Sequence, residues 1–142
     1  MSVKTKSRSV LKGYVNHHED RFWLVEEAVA GVPANAVYDL IGLTHLKKEF
    51  LVGMLNISSK TLDRYRKTEK RLTPSASELI LKLYTLYQKG EKIFGTPDEF
   101  RKWIEEPAYG LGYKVPITML QTSAGIDLIM DELIRIEYGD LA

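Results

Sequence analysis

Residues 46–67 read LKKEFLVGMLNISSKTLDRYRK, and this stretch decides the fold. Leu46, Phe50, Leu51, Met54 and Leu55 recur at spacings that put one apolar stripe on a helix. Asn56-Ile57-Ser58 interrupts that helix. Asn tolerates a left-handed backbone, Ile57 offers an apolar plug for the corner, and Ser58 can cap a second helix by accepting from an exposed backbone N–H. On the second helix Leu62 and Tyr65 face inward at i and i+3. Ser59, Lys60, Thr61, Asp63, Arg64, Arg66 and Lys67 are left on its outer surface. This is the layout of a helix-turn-helix, whose second helix suits a DNA major groove. The alternative is a small helical hairpin with a solvated basic face.

Upstream, Gly31-Val32-Pro33 is punctuation, with Pro33 placed for a helix start and Gly42 for its end. Val37, Leu40 and Ile41 form the inner face of that short helix, and Thr44 is expected to cap the next one. Phe22 to Val29 is read as a further helix. Residues 1–13, with Lys4, Lys6, Arg8 and Lys12 and no acid, read as a solvated tail. His17-His18-Glu19-Asp20 reads as a surface turn, because adjacent side chains point in different directions and do not converge on one metal ion.

Downstream, Ser75 and Glu78 have capping-box spacing ahead of the run Leu79 to Tyr87. Leu79, Ile80, Leu83, Tyr84, Leu86 and Tyr87 cover a wide arc, so this central helix should be buried on more than one side, with Gly90 and Gly95 loosening its end. Thr96-Pro97-Asp98-Glu99 combines a cap, a proline at the first helical position and a Glu at the reciprocal position. Phe100, Trp103 and Ile104 share one face of the helix that follows, and Pro107 closes it. Tyr109 to Val115, with Gly110 and Gly112, must turn. Pro116 opens a short helix over 117–121. The last helix spans Ala124 to Tyr138. Its seven apolar residues among eleven positions (Ile126, Leu128, Ile129, Met130, Leu133, Ile134, Ile136) exceed one buried stripe, which favours pairing with a second copy of the chain. The expectation is an all-α chain: an N-terminal extension at 1–30, a helix-turn-helix at 31–72, a connecting helix at 73–95 and a C-terminal domain at 96–142.

At 142 residues and 44% hydrophobic content the chain can build one compact core or two small ones. It has no membrane-length apolar run and no secretory leader pattern, so a cytoplasmic location with no membrane partner is expected. With no cysteine, disulfides, thiolate catalysis and cysteine-based zinc sites are excluded. The net charge of +1 conceals a separation: residues 47–71 hold 8 basic and 3 acidic groups, while 96–142 hold 4 and 9. One segment suits phosphate and the other repels it, which implies two different partners. Neither Glu105-Glu106 nor Asp131-Glu132 aims two acids at one atom, and both pairs read as solvated helix faces. There is no nucleophile elbow and no nucleotide-binding glycine pattern. The chain is therefore read as a non-enzyme without a cofactor.

The segment from Gly95 onward resembles the toxin-binding C-terminal domain of the Xre/MbcA/ParS antitoxin family. The likeness rests on Ile93-Phe94-Gly95, the tryptophan-bearing helix Phe100 to Pro107, Gly110-Leu111-Gly112 before Pro116, Leu120-Gln121-Thr122-Ser123-Ala124-Gly125 and Arg135-Ile136-Glu137-Tyr138-Gly139. Upstream, Gly31-Val32-Pro33, Leu51 to Ser58 and Thr61-Leu62-Asp63-Arg64-Tyr65 are similar to that family's Xre-type DNA-binding half. Two positions depart: Val52 stands where alanine is usual and Asn56 where glycine is usual. The resemblance implies a type II antitoxin that binds a RES-domain toxin, one that consumes NAD or transfers ADP-ribose from it, and that represses its own operon as a homodimer or within a larger antitoxin–toxin assembly. The rival expectation is a stand-alone transcription factor with a C-terminal dimerisation or ligand-binding domain.

On the DNA side, Arg64 is the expected base contact, since a guanidinium can grip a guanine edge with two bonds. Lys60, Lys67 and Arg71 are expected at phosphates, with Ser59 and Thr61 beside them. On the toxin side the expected contacts are Tyr109 and Lys114 in the glycine turn and Arg135, Glu137, Tyr138 and Gly139 at the chain end. Tyrosine and arginine dominate interfaces, and a projecting terminus can fill a concave site. The alternative is that Ile136 and Tyr138 only finish the core.

Overall fold

The structure, a computed structural model, describes Leu11 and residues 21–139. The basic tail, the His17-His18-Glu19-Asp20 run and residues 140–142 lie outside the described residues. Among those described there are seven α-helices and no strand: α1 (Arg21–Ala30), α2 (Asn35–Thr44), α3 (Lys48–Leu55), α4 (Ser59–Lys67), α5 (Pro74–Phe94), α6 (Pro97–Ile104) and α7 (Ser123–Glu137). Two 3-10 turns, Tyr109–Leu111 and Pro116–Met119, lie between α6 and α7. The all-α expectation holds. The chain divides into two compact units, Met1–Tyr84 and Thr85–Ala142, so α5 contributes residues to both.

In the first unit the α3–turn–α4 pair forms as its sequence dictates. Asn56 takes the left-handed conformation at φ 59°, its N–H reaching Gly53 O (3.2 Å) while Ile57 N–H reaches Val52 O (3.1 Å). These two bonds satisfy carbonyls that a helix end otherwise leaves orphaned. Asn therefore does in this turn what glycine usually does. Ser58 Oγ then accepts from Thr61 N–H (3.0 Å) and starts α4. Leu51, Leu55 and Leu62 are buried, and so is Val52, which the apolar stripe had not included.

Several end assignments differ from the sequence expectation, among them Gly42, which lies inside α2 while His45 forms the helix end. Thr44 does not cap α3: it is the buried last residue of α2, donating to Leu40 O (2.7 Å) and accepting from Leu46 N–H (3.1 Å). A threonine hydroxyl can bond back to the i−4 carbonyl, and here that wins over capping forward. Ser75 is likewise not the cap of α5. That helix starts at Pro74, with Thr73 Oγ1 accepting from Ala76 N–H (3.3 Å). Gly90 does not loosen α5 but lies buried inside it, where a Cβ would overlap the Phe100 ring.

A short set of bonds fastens the segment before α2 to the segment before α5. Buried Ser77 accepts from Val32 N–H (2.9 Å) and donates to Leu72 O (3.3 Å), while Leu72 N–H reaches Val32 O (2.9 Å). The partners are 45 residues apart in sequence, so this hydroxyl closes a long loop. α1 shows a different balance: Phe22, Val25 and Val29 are exposed, and only Ala28 of its residues is buried.

In the second unit Thr96 caps α6 as expected, accepting from Glu99 N–H (3.1 Å), and Pro97 occupies the first turn. Phe100 is fully buried and meets Tyr87 edge-on (centroids 5.0 Å), with Phe94 and Trp103 alongside at 6.1 and 6.0 Å. Burial raises the Tyr87 hydroxyl pKa well above its ordinary value. Thr122 caps α7 through Gly125 N–H (3.0 Å), and Gly125 packs against the Met119 carbonyl where no side chain fits. On α7, Ile126, Ile129 and Leu133 are buried, Met130, Ile134 and Ile136 half-buried, and Leu128 exposed.

Replacing Ser77 by Ala strips the buried Val32 N–H of its partner. The loss should be about 1–3 kcal/mol, read as a lower thermal or urea midpoint, whereas Ser75→Ala should leave the midpoint nearly unchanged.

Candidate functional site

The proposed reading surface of α4 starts from its anchoring. Leu62 is fully buried and Tyr65 half-buried, which turns Lys60, Arg64 and Lys67 outward. These three exposed cations fall at i, i+4 and i+7, hence on one helix face. Ser59 and Thr61 are half-buried near the helix start, where Ser58 Oγ donates to Thr61 Oγ1 (2.8 Å). Arg64 lies over the Tyr65 ring at 5.8 Å, and Lys70 lies over the same ring at 4.8 Å. Arg71 stands beyond the helix, its Nη1 donating to Gly31 O (2.5 Å). Arg71 is thus partly committed to the fold, beside the bridge between Pro33 and Arg71.

Asp63 is not a free member of the outer surface. Its Oδ1 receives Lys48 Nζ (2.6 Å) and the Tyr38 hydroxyl, so one carboxylate joins α2, α3 and α4. Arg66 sits over the Tyr38 ring at 4.2 Å and Lys48 over it at 5.3 Å. The hydrogen bond from Lys48, followed by that from Tyr38, holds the Asp63 carboxyl below the ordinary carboxylate range. Asp63 in turn raises the Lys48 ammonium pKa, and burial followed by the bond to Asp63 raises that of the Tyr38 hydroxyl. Opposite charges at this distance each favour the partner's charged form. Sequence reasoning missed this clamp because its members lie 15 and 25 residues apart.

In the second unit the turn between the two 3-10 segments is closed by Ala108 N–H to Lys114 O (3.0 Å) and Tyr113 N–H to Ala108 O (2.9 Å). Gly112 and Tyr113 both have positive φ, 66° and 63°. Tyr109 and Tyr113 are exposed, with ring centroids 5.6 Å apart and edge-on. Lys114 is exposed beside them.

At the chain end Tyr138 is 81% exposed and Gly139, also exposed, has φ 94°. The Arg135 side chain is half exposed, with Nη2 2.5 Å from Glu132 Oε1. Glu137 is held: its Oε1 lies 2.6 Å from Nζ of buried Lys89. The Tyr138 ring is therefore outside the core, while Glu137 ties the end of α7 to α5.

Glu132 corrects the reading of Asp131-Glu132 as a solvated pair, since Glu132 is only 2% exposed. Its place one turn from Ile129 and Ile136 puts it on the buried stripe, a signal present in the helical spacing. Asp131, one step around the helix, is exposed as expected. Tyr113 is absent from the expected contacts, although Tyr109 and Lys114 of the same turn are among them. Among the described residues no group of three or more His, Asp or Glu could hold a metal ion, and no helix is long and apolar enough to cross a membrane.

Residues 89–139 match the family model described as the antitoxin Xre/MbcA/ParS C-terminal toxin-binding domain. Over 117 residues the chain is 26% identical to antitoxin Xre of Yersinia enterocolitica (serotype O:8 / biotype 1B), covering 82% of this chain and 79% of that one. Antitoxin Xre of Photorhabdus laumondii is 26% identical over 110 residues, 77% of this chain and 74% of the relative. Residues 89–139, which include the turn and terminal helix just described, are thus similar to a toxin-binding antitoxin domain. Along most of its length the chain is similar to these two Xre antitoxins.

The Asp63 clamp has a pH signature. Above the ordinary carboxylate range the clamp contributes fully. As pH falls, the unfolded chain takes up its proton first, so the contribution shrinks until the folded carboxyl is protonated at its lowered value. A carboxyl-carbon NMR titration should place the Asp63 midpoint below that of a free aspartate, and Lys48→Ala should move it upward.

Proposed function

We propose that this chain is an Xre-type antitoxin that neutralises a RES-domain toxin, one that consumes NAD or transfers ADP-ribose from it, by direct binding as in type II systems, and that it represses its own operon through α3–α4. The observation that carries the reading is the pairing of two unlike surfaces. A basic stripe of Lys60, Arg64 and Lys67 lies on the second helix of the α3–turn–α4 pair, and exposed Tyr109, Tyr113 and Tyr138 lie within residues 89–139, which match a toxin-binding domain model. On this reading Arg64 contacts a base edge. Lys60, Lys67 and the remaining donors of Arg71 hold phosphate, and Ser59 and Thr61 lie at the groove rim. Tyr109, Lys114, Arg135, Tyr138 and Gly139 face the toxin. Glu137 serves chiefly by holding the helix end through Lys89. The working form is a homodimer, alone or within a larger assembly with the toxin. The exposed Leu128 and the half-buried Met130, Ile134 and Ile136 support pairing, and two-fold pairing suits a two-fold operator. We further assign 31–72 to DNA binding, 73–95 to the connecting helix and 96–142 to toxin binding and dimerisation.

Gel shifts on the upstream operon DNA test the first half. Arg64→Ala should weaken binding by about 1–3 kcal/mol and blur sequence preference, with two chains per bound duplex in the wild type. A Lys60, Arg64, Lys67 triple alanine variant that binds as wild type would remove the assignment.

For the second half, a chain truncated after Glu137 keeps the partner of Lys89 and loses only Tyr138 onward. It should stay folded and bind operator DNA, yet fail to restore growth when the toxin is co-expressed. Full protection by this folded truncation would place the blocking surface elsewhere on the domain.

A further inference from the structure

Glu132 spends a charge in an unusual way. The residue is 2% exposed, Oε1 lies 2.5 Å from Arg135 Nη2, and buried Oε2 has no hydrogen-bond partner. The Arg135 side chain that it holds is 50% exposed. A guanidinium presents five N–H donors in one plane, so Arg135 can be fixed on one edge and still grip a partner's carboxylate with another. As a stability device the arrangement is poor, because an apolar side chain of similar volume would fill a buried site at least as well.

The same carboxylate is also the floor of the aromatic turn. A Cβ at Gly110 would overlap both Glu132 Oε2 and Arg135 Nη2, so the turn's backbone rests directly on the pair. From that turn Tyr109 and Tyr113 project, 56% and 66% exposed and in edge contact. Tyr113 holds a positive φ, which is disfavoured for a bulky residue and found where the surrounding structure imposes it.

We propose that Glu132 is a positioning residue for toxin recognition, fixing Arg135 and seating the Gly110 turn so that Arg135, Tyr109 and Tyr113 form one contact surface. The proposal rests on the reading that Arg135 touches the toxin. The toxin surface it fits offers a carboxylate to Arg135 next to a recess for two tyrosine rings.

A double-mutant cycle on the full chain tests it, with affinity for the purified toxin encoded in the same operon as readout and thermal melting and operator binding as checks on the fold. Arg135→Ala should weaken toxin binding on the order of 30-fold, and Glu132→Gln roughly tenfold. The double variant should lose clearly less than the product of the two single losses, because fixing Arg135 is part of what Glu132 does and only the seating of the tyrosine turn remains to be lost. Additive losses, or Glu132→Gln at wild-type affinity, overturn the proposal while leaving Arg135 as a contact. Wild-type affinity in Arg135→Ala overturns both the proposal and the contact reading beneath it. Should Glu132→Gln unfold the unit, Gly110→Ala carries the same cycle. Its loss must be smaller in the Arg135→Ala background, and an equal loss there refutes the positioning role.

Discussion

Helices of eight to ten residues do not hold themselves together in water, and α1, α2, α3, α4 and α6 are all of that length. Their survival depends on what happens at their ends and on one buried face each. Side-chain hydroxyls satisfy exposed N–H groups at the starts of α4, α5, α6 and α7 through Ser58, Thr73, Thr96 and Thr122. Left-handed residues close several of the other ends: His45 after α2, Asn56 after α3 and Glu69 after α4. The apolar faces then need only a few large side chains, Leu40, Leu51 and Leu62 in one unit and Phe100, Ile129 and Leu133 in the other.

Charge is used differently from apolar surface. Lys48–Asp63, Glu132–Arg135 and Lys89–Glu137 are ion pairs with at least one partner half-buried or buried, and each lies next to a surface with a proposed recognition role. Ion pairs in such positions add little net stability but fix direction, since the bonded geometry is narrow and a broken pair strands a charge. Asp63 sets how α4 stands against α2 and α3. Lys89 holds the end of α7 so that the tyrosine following Glu137 emerges from a fixed point.

Local signals were legible in the sequence. The α3–turn–α4 pair, the Thr96-Pro97 start and the last helix could be read directly, because each rests on spacing within a few residues. The turn through Asn56 was legible for the same reason. What sequence patterns place wrongly is the use of charged residues inside the fold. Asp63 falls on the outer surface by helical position because its partners Tyr38 and Lys48 lie 25 and 15 residues away, and Glu132 shares a stripe with Ile129 but looks like half of a solvated pair beside Asp131. Thr44 and Ser75 failed as caps for a related reason. A hydroxyl near a helix end has several backbone groups within reach, and packing decides among them. The proposed DNA contacts were legible as a charge pattern, but the bond from Arg71 to Gly31 was not.

Four described residues other than glycine sit in left-handed backbone: His45, Asn56, Glu69 and Tyr113. At the three helix ends a side chain is tolerated rather than required, and a change to glycine or asparagine relieves the backbone instead of disturbing it. Drift among relatives at positions 45, 56 and 69 should therefore run toward residues that usually read as loop breakers, and alignments scored on helix-forming tendency will misplace these boundaries. Tyr113 carries the same backbone with an exposed ring. There glycine would ease the chain but erase the exposed ring, so any gain in folding would cost the proposed contact.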